Sequence, residues 1–222
     1  MFYDPGRAVG SCGLGPFPSG GWYASLPLDG YAGGAACGSY LDVRGPAGQV
    51  RAEVVDVCTT CAPWTVDLSR AAFARIADLR SGAAAVTAAA VTDPPLPGPL
   101  VLRLDTGVPG RLAVQVLNHG NRLASVEIYQ AWGGHWQRLA VDPDGYWSGR
   151  LAARPHPLRG RIRVRVADAA GHRVLVNGVA LTATAVRTST WMYRAARPAV
   201  HRSRPPWAAV TRAARGGPGC PG

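Results

Sequence analysis

The segment from residue 93 to residue 99 reads Asp-Pro-Pro-Leu-Pro-Gly-Pro, and it constrains the fold more than any other stretch. Proline has no backbone N–H to donate and its ring fixes φ, so this segment cannot run inside a sheet and is stiff. A length of 222 residues suits two domains of about a hundred residues each. We therefore predict a domain at 1–96 and a second at 97–196, joined by a short semi-rigid linker.

Four cysteines lie in the first third of the chain: Cys12, Cys37, Cys58 and Cys61. Clustering of this kind is typical of a small extracellular domain held by two disulfides. Four cysteines allow three pairings, among which the sequence does not decide; we favour Cys12 with Cys37 and Cys58 with Cys61. The rival interpretation, a zinc site or redox motif at Cys58-Thr-Thr-Cys61, lacks a second ligand pair and a helix opening at the motif.

The first domain has the pattern of a strand-rich unit with one helix. Residues 39–44 and 49–57 flank the turn sequence Gly-Pro-Ala-Gly and predict a hairpin. Ser69 is a good helix cap, and apolar residues follow it at helical spacing, which predicts an amphipathic helix of about ten residues. Residues 83–92 are small or β-branched and are expected to close the unit.

The second domain shows strand patterns about every ten residues and no helix signal between them. The expected strands cover residues 100–105, 111–117, 124–130, 135–139, 146–151, 161–167 and 172–176. In Arg161–Val166 the alternation is strict, with three arginines on one face and three apolar residues on the other. This spacing predicts an all-β sandwich of immunoglobulin-like shape.

Residues 197–222 are rich in arginine, proline and glycine and have no periodicity, which predicts a disordered basic tail in which Cys220 is a spare thiol. All 24 basic residues are arginine and the net charge is +11. The charge reflects either coding bias with a solvated surface, or binding to acidic polymers. No apolar run is long enough for a membrane span, and no signal region precedes the cysteines, so we expect a start upstream of Met1.

Three stretches of the first domain and three of the second resemble the bacterial expansins. In the first they are Gly34–Gly48, Val54–Cys61 and Val66–Ile76; in the second they are Leu112–Asn121, Gly145–Trp147 and Val164–Arg173. The resemblance runs in order from about residue 2 to about residue 195. It implies a six-stranded double-psi β-barrel followed by an immunoglobulin-like carbohydrate-binding domain. The implied activity is loosening of the cell wall without hydrolysis, by a secreted monomer that needs no cofactor and no metal.

Two acidic residues match the family's groove. Asp67 in Val-Asp-Leu-Ser matches the essential acidic residue, and Asp56 in Val-Val-Asp matches a second one. Glycoside cleavage usually needs two carboxylates at a defined separation, and the family's second acid is not placed as a base. The alternative is a structural role, in which Asp67 only stabilises the start of the helix. Tyr3 is a further groove candidate with a core role as its alternative, and Cys58 stands where the family has a groove tyrosine.

The aromatic platform of the family's second domain is not clearly retained, because its positions fall near Gly110, Arg111 and Asp144. Trp132, Tyr146 and Trp147 lie close by and are candidates for a shifted platform on which sugar rings stack. Trp136 and one of these three are expected in the sandwich core. Arg111 and the other strand arginines are candidates for contact with acidic polysaccharide.

Three functions are compatible with these sequence features. The first is non-enzymatic binding and loosening of plant-type wall, with cellulose as the expected partner and acidic pectin or peptidoglycan as alternatives. The second is a glycan-cleaving enzyme, an endoglucanase or a lytic transglycosylase, with Asp67 as general acid. The third, nucleic-acid binding, rests on charge alone and lacks a recognition motif. We expect the first, with no nucleic-acid or membrane partner.

Overall fold

The structure is a computed structural model that describes residues 1–3, 9–17, 21–130, 134–151 and 160–193. It is mainly β, as the sequence predicts. The proposed tail at 197–222 and Cys220 lie outside the described residues. No helix in the described part of the chain is long and apolar enough to cross a membrane.

The first unit is one six-stranded sheet. In the order in which they lie side by side, its strands are β1 (Phe2–Tyr3), β5 (Asp67–Ser69), β2 (Tyr23–Pro27), β4 (Gly48–Cys58), β3 (Tyr40–Gly45) and β6 (Thr87–Ala90). The hairpin predicted at 39–57 is β3 with β4, and β6 adds to its edge. Alternating apolar residues of β2 and β4 face the interior, where Ala24, Ala52 and Val54 are fully buried.

The expected ten-residue helix is shorter than predicted. Helix α2 covers only Arg70–Phe73, and a separate helical turn, α1, covers Leu28–Tyr31. Ser69 does cap α2, because its side chain accepts a hydrogen bond from the Ala72 N–H at 3.1 Å. Helical hydrogen bonds continue past Phe73 as far as the Ala77 N–H, which donates to the Phe73 carbonyl at 3.0 Å, and the Ile76 carbonyl then accepts from the Ala47 N–H at 2.8 Å, which ties the end of this segment to the β3–β4 turn. Phe73 and Ile76 are still buried.

The second unit is a sandwich of two antiparallel sheets. One has four strands in the order β10 (His135–Arg138), β9 (Leu123–Gln130), β13 (Arg161–Asp168) and β14 (Arg173–Ala180). The other has five, in the order β11 (Ala140–Val141), β12 (Tyr146–Arg150), β8 (Arg111–Leu117), β7 (Val101–Asp105) and β15 (Ala185–Arg187). The core between them contains Leu102, Val114, Ile128 and Val164. All seven predicted strands are present, and β11 and β15 were not predicted.

The two units meet on the outer face of the five-stranded sheet. Gln115 on β8 is buried and donates to the Cys12 carbonyl at 2.7 Å, and Arg103 on β7 donates to the Gly13 carbonyl at 2.9 Å. The Tyr31 hydroxyl donates to the Pro143 carbonyl. The short segment 11–13 is therefore held between the first sheet and the sandwich.

Candidate functional site

The central strand β2 brings the two candidate aspartates into one row. Ser25 lies opposite Asp67 of β5 on one side and opposite Asp56 of β4 on the other. Residues directly opposite one another project from the same face of a sheet, and each strand step is close to 4.8 Å, so the two Cα atoms are roughly 10 Å apart. The structure thus places both acids predicted from the sequence on one face of the first unit, opposite the packed core.

A β-bulge in β4 is what puts Asp56 on that face. The register with β2 runs from Ala24 opposite Val54 directly to Ser25 opposite Asp56, so Val55 is the extra residue. Without the bulge, Asp56 would come opposite Leu26 and project toward the apolar side. Bulges commonly re-aim a side chain in this way.

Asp56 is already well supplied with donors. Its Oδ1 accepts from the Ser11 N–H at 2.8 Å, the Ser11 hydroxyl at 2.7 Å and the Val57 N–H at 2.9 Å. Hydrogen bonds to an ionised acceptor are the strong ones, and three of them fix the orientation of this carboxylate. Asp56 is therefore a rigidly held hydrogen-bond acceptor.

Asp67 is placed differently, with one oxygen short of donors. Its side chain is 15% exposed, and Oδ1 is buried with no hydrogen-bond partner among the described residues. The nitrogen of Met1 lies 3.8 Å from Oδ1. Oδ2 lies 3.2 Å from Sγ of Cys61. A buried polar atom without a partner requires an explanation, and a ligand donor would reach Oδ1 only after a side chain around it moves.

Tyr3 joins the same neighbourhood. Its hydroxyl is the second buried atom here without a partner in the described structure, and its ring packs edge-on against Tyr23 at 5.9 Å between centroids. Burial, and secondarily the charge of Asp56, raise the pKa of the Tyr3 hydroxyl, which keeps it a neutral donor at physiological pH. The weaker sequence candidate thus supplies a donor beside the two acids.

Sequence reasoning missed two further residues of this face. Glu53 on β4 lies opposite Tyr23 on one side and Tyr40 on the other. Burial raises the pKa of Glu53, and burial together with Glu53 raises the pKa of Tyr40 to about 12. Phe17 stacks on Tyr23 with centroids 4.6 Å apart. The alternation of β4 was visible in the sequence, but the burial of its polar face was not.

Two disulfides hold the first unit. Cys12 bonds Cys37, and Cys58 bonds Cys61, the pairing that the sequence analysis favours. Cys58 and Cys61 lie with Asp67 in a group whose ligand atoms are close enough for a metal ion, but two sulfurs joined to each other are not thiolate ligands. The Cys58–Cys61 bond instead closes the loop that precedes Asp67.

The sugar-binding candidates on the sandwich lie in different environments. Trp147 is 5% exposed and packs between the two sheets, so it presents no ring face to a sugar. Tyr146 and Arg111 lie half-buried on the outer face of the five-stranded sheet, where the Arg111 guanidinium contacts Asp142 at 2.5 Å. Trp132 lies outside the described residues.

Trp136 was expected in the core, and this is wrong. It stands opposite Tyr129 and lies half-buried on the outer face of the four-stranded sheet, because β10 is an edge strand whose alternation turns this position outward.

Comparison with known proteins places these observations in a family. No family model matches the chain, and no curated protein matches its sequence. Among solved structures, the apo form of the expansin of Clavibacter michiganensis matches with a TM-score of 0.75 and 31% sequence identity, over 87% of this chain and 95% of that one. A mutant of the same expansin in complex with cellohexaose matches with the same TM-score, identity and coverage. With this identity over nearly the full length of both chains, the protein belongs to the bacterial expansins.

Proposed function

We propose that this protein binds cellulose or a related wall polysaccharide on the face that carries Asp56 and Asp67, and loosens the wall without cutting it. The observation that carries the proposal is the grouping of Asp67 and Tyr3, in which Oδ1 of Asp67 and the Tyr3 hydroxyl each lack a hydrogen-bond partner among the described residues. A glycan hydroxyl both donates and accepts, so it can satisfy an acceptor and a donor of this kind together. The cellohexaose complex of the Clavibacter relative supports a glucan as ligand.

Asp56 favours binding over cleavage. Hydrolysis needs a second carboxylate that acts as nucleophile or base, and Oδ1 of Asp56 is held by three donors from Ser11 and Val57. Because these three bonds fix the orientation of the Asp56 carboxylate, they restrain it from turning toward a water or an anomeric carbon, which supports a binding role over that of a catalytic base. The protein is in this proposal a carbohydrate-binding protein and not a glycosidase.

The sandwich supplies the second part of the surface. The segment 11–13 joins Asp56, through Ser11, to Gln115 and Arg103 on the five-stranded sheet, and Tyr146 lies opposite Gln115 on that sheet. We propose that residues 1–96 and 97–196 act as two domains that present one continuous glycan surface, with Tyr146 and Arg111 at its far end. Two disulfides suit an extracellular protein, and we place the protein outside the cell as a monomer.

The test compares the native chain with Asp67→Asn on three substrates: insoluble cellulose, xylan and peptidoglycan. Asp67→Asn keeps the size of the side chain and removes the charge. We expect at least a tenfold weaker retention on the glucan and a loss of wall weakening in an extension assay. Asp29→Asn is the matched control, because Asp29 is an exposed aspartate of the same unit.

The cleavage alternative gives a different result in the same series. Sustained release of reducing ends from soluble glucan, or of muropeptides from peptidoglycan, that stops with Asp67→Asn would make the protein an enzyme. Unchanged retention and unchanged wall weakening in Asp67→Asn would refute the assignment of the binding face.

A further inference from the structure

The outer face of the four-stranded sheet carries an array of arginines and aromatic rings that the wall-loosening proposal does not use. On β13 the residues Ile162, Val164 and Val166 point into the core, so the alternate arginines point outward. Arg163 stands opposite Tyr129 of β9, and Arg165 stands opposite Glu127. On β10, Trp136 stands opposite Tyr129 and Arg138 opposite Glu127. These six residues, with Arg161 and Arg173, form what we call the arginine face.

The guanidinium groups lie over the aromatic rings. The Cζ atom of Arg163 is 4.0 Å from the centroid of Tyr129, and that of Arg165 is 3.9 Å from the centroid of Trp136. The two rings are themselves in contact, with centroids 5.5 Å apart. Cation–π contacts at these distances hold the planar groups in place. The arginines are therefore ordered before any ligand arrives, which lowers the entropic cost of binding.

The charge of this face is strongly one-sided. Among the outward positions of its four strands are five arginines (Arg138, Arg161, Arg163, Arg165 and Arg173) and a single carboxylate, Glu127. Glu127 pairs with Arg165 at 3.2 Å. In the part of the chain that the structure describes, the other four arginines have no carboxylate within ion-pair distance. The described part of this face therefore has an excess of positive charge that an anionic ligand can pair with.

The arginine face is separate from the Asp56–Asp67 face. The first unit packs on the outer side of the five-stranded sheet, where Gln115 is buried against Cys12. The arginine face is the outer side of the other sheet, across the sandwich core from Gln115. The two surfaces are thus on different sides of the second unit.

The stacking of the arginines on the aromatic rings favours an anionic ligand over a neutral sugar or a base. Neutral sugars and nucleic-acid bases bind proteins largely by stacking on ring faces, and here guanidinium groups already lie over Tyr129 and Trp136. The N–H edges of the Arg163 and Arg165 guanidinium groups are still available to a ligand. Such an edge can donate two parallel hydrogen bonds to one carboxylate. Alternate arginines along β13 recur about every 6.7 Å. A flat, regularly spaced array suits an extended polymer with a carboxylate on each repeating unit.

We propose that the arginine face is a second glycan site, specific for linear carboxylated polysaccharide of the polyuronate class. It acts independently of the Asp67 face. The protein would then hold the acidic matrix with one side of the sandwich while the first unit engages neutral glucan.

The experiment measures binding of the full chain to immobilised polygalacturonate and, in parallel, to cellulose. The variant is Arg163→Gln with Arg165→Gln. We expect a loss of tenfold or more on polygalacturonate and no change on cellulose. The control is Arg44→Gln with Arg187→Gln, which removes the same charge from exposed arginines elsewhere and should cost less than threefold. Fully methyl-esterified polygalacturonate, which lacks free carboxylates, should not bind.

Several results would overturn the proposal. Equal losses in the two double variants would mean that only net charge matters. Tighter binding of single-stranded DNA that depends on Arg163 and Arg165 would assign the face to nucleic acid. If the glutamine variant unfolds, Arg163→Lys with Arg165→Lys keeps the charge and loses the fork, and unchanged polygalacturonate binding would then contradict carboxylate recognition. Asp67→Asn must leave polygalacturonate binding intact, so failure of either proposed site is seen separately.

Discussion

Ser11 donates two hydrogen bonds to one oxygen of Asp56, from its N–H at 2.8 Å and from its hydroxyl at 2.7 Å. The next residue, Cys12, is joined to Cys37 and accepts from Gln115 of the sandwich through its carbonyl. One short segment therefore orients a carboxylate of the first unit and also forms part of the contact with the second unit. The orientation of Asp56 depends on how the two units are packed.

We predict that Ser11→Ala weakens glucan binding about three- to tenfold while leaving the fold intact. The hydroxyl contributes one charge-assisted hydrogen bond, worth about 1 kcal/mol at an exposed site, and the N–H bond to Asp56 survives the change. Isothermal titration with cellohexaose measures the effect. Ser189→Ala, at an exposed serine of the sandwich, is the control and should bind like the native chain. A loss equal to that of Asp67→Asn would mean that Ser11 itself contacts the ligand.

The two disulfides should differ in their contribution to stability. In the chain-entropy description a crosslink contributes more when it closes a longer loop. Cys12 and Cys37 are separated by 25 residues in sequence and Cys58 and Cys61 by 3, which gives about 3.5 and about 2 kcal/mol. Urea unfolding of the double serine variants tests the order.

Removal of the Cys58–Cys61 bond should also affect glucan binding, because Cys61 Sγ contacts Oδ2 of Asp67 at 3.2 Å. We expect Cys58→Ser with Cys61→Ser to bind cellohexaose at least threefold more weakly. The matching Cys12→Ser, Cys37→Ser variant serves as comparison wherever it remains folded. Native affinity without the Cys58–Cys61 bond would show that the loop is not needed to place Asp67.

Part of this architecture could be predicted from the sequence, and the reasons differ by element. The β13 alternation located the sandwich core because burial on one face forces a period of two. The bulge at Val55 leaves only a break in the alternation of β4, the adjacent Val54 and Val55, and two adjacent apolar residues do not by themselves distinguish a bulge from a strand buried on both faces. Trp136 was misplaced because composition favours tryptophan in the core, while an edge strand turned it outward against arginines. Glu53 was missed because its significance comes only from burial between two tyrosines.

Glu53 should make the protein more stable in mild acid. Burial raises the pKa of Glu53 in the folded state, so folding favours its protonated form. The stabilising effect is complete below the unfolded pKa of about 4.3 and is lost as pH rises through the folded pKa. We expect Glu53→Gln to be more stable than the native chain at pH 7 and to equal it near pH 4. Urea midpoints across this range measure the difference. Glu127→Gln, at a half-exposed glutamate of the sandwich, is the control and should not show this convergence.

His119 should make the protein less stable in mild acid, the opposite of the effect of Glu53. It is fully buried, and burial lowers the pKa of its imidazole, which is held neutral with Nδ1 2.7 Å from the Asn121 carbonyl. A depressed folded pKa gives stability that is present above the unfolded pKa of about 6.5 and is lost as pH falls through the folded pKa. We expect the melting temperature of the native chain to fall between pH 6.5 and pH 5, and His119→Gln to flatten this fall. An identical slope in His119→Gln would assign the acid sensitivity to other groups.

Asn121 holds the linker against the sandwich, and its loss should be strongly destabilising. Its side-chain amide donates to Asp93 at 2.7 Å and to the buried Asp168 at 2.8 Å, while its Oδ1 accepts from the Asp93 N–H at 2.7 Å. Asp93 has a φ of 53°, an unfavourable conformation for a residue other than glycine, so the linker depends on these bonds. Asn121→Ala leaves a buried carboxylate short of a donor, which costs about 2–4 kcal/mol.

Chemical denaturation measures this cost, and Asn177→Ala, at an exposed asparagine on β14, should change the free energy of unfolding by less than 0.5 kcal/mol. His172 also contacts both aspartates, with Nδ1 2.9 Å from Asp168 and Nε2 3.5 Å from Asp93. If His172 alone is sufficient to fix the linker, Asn121→Ala will unfold like the native chain and His172→Ala will not. Because the linker sets how the two units sit, we expect Asn121→Ala to lose wall weakening before it loses binding of short glucans to the first unit.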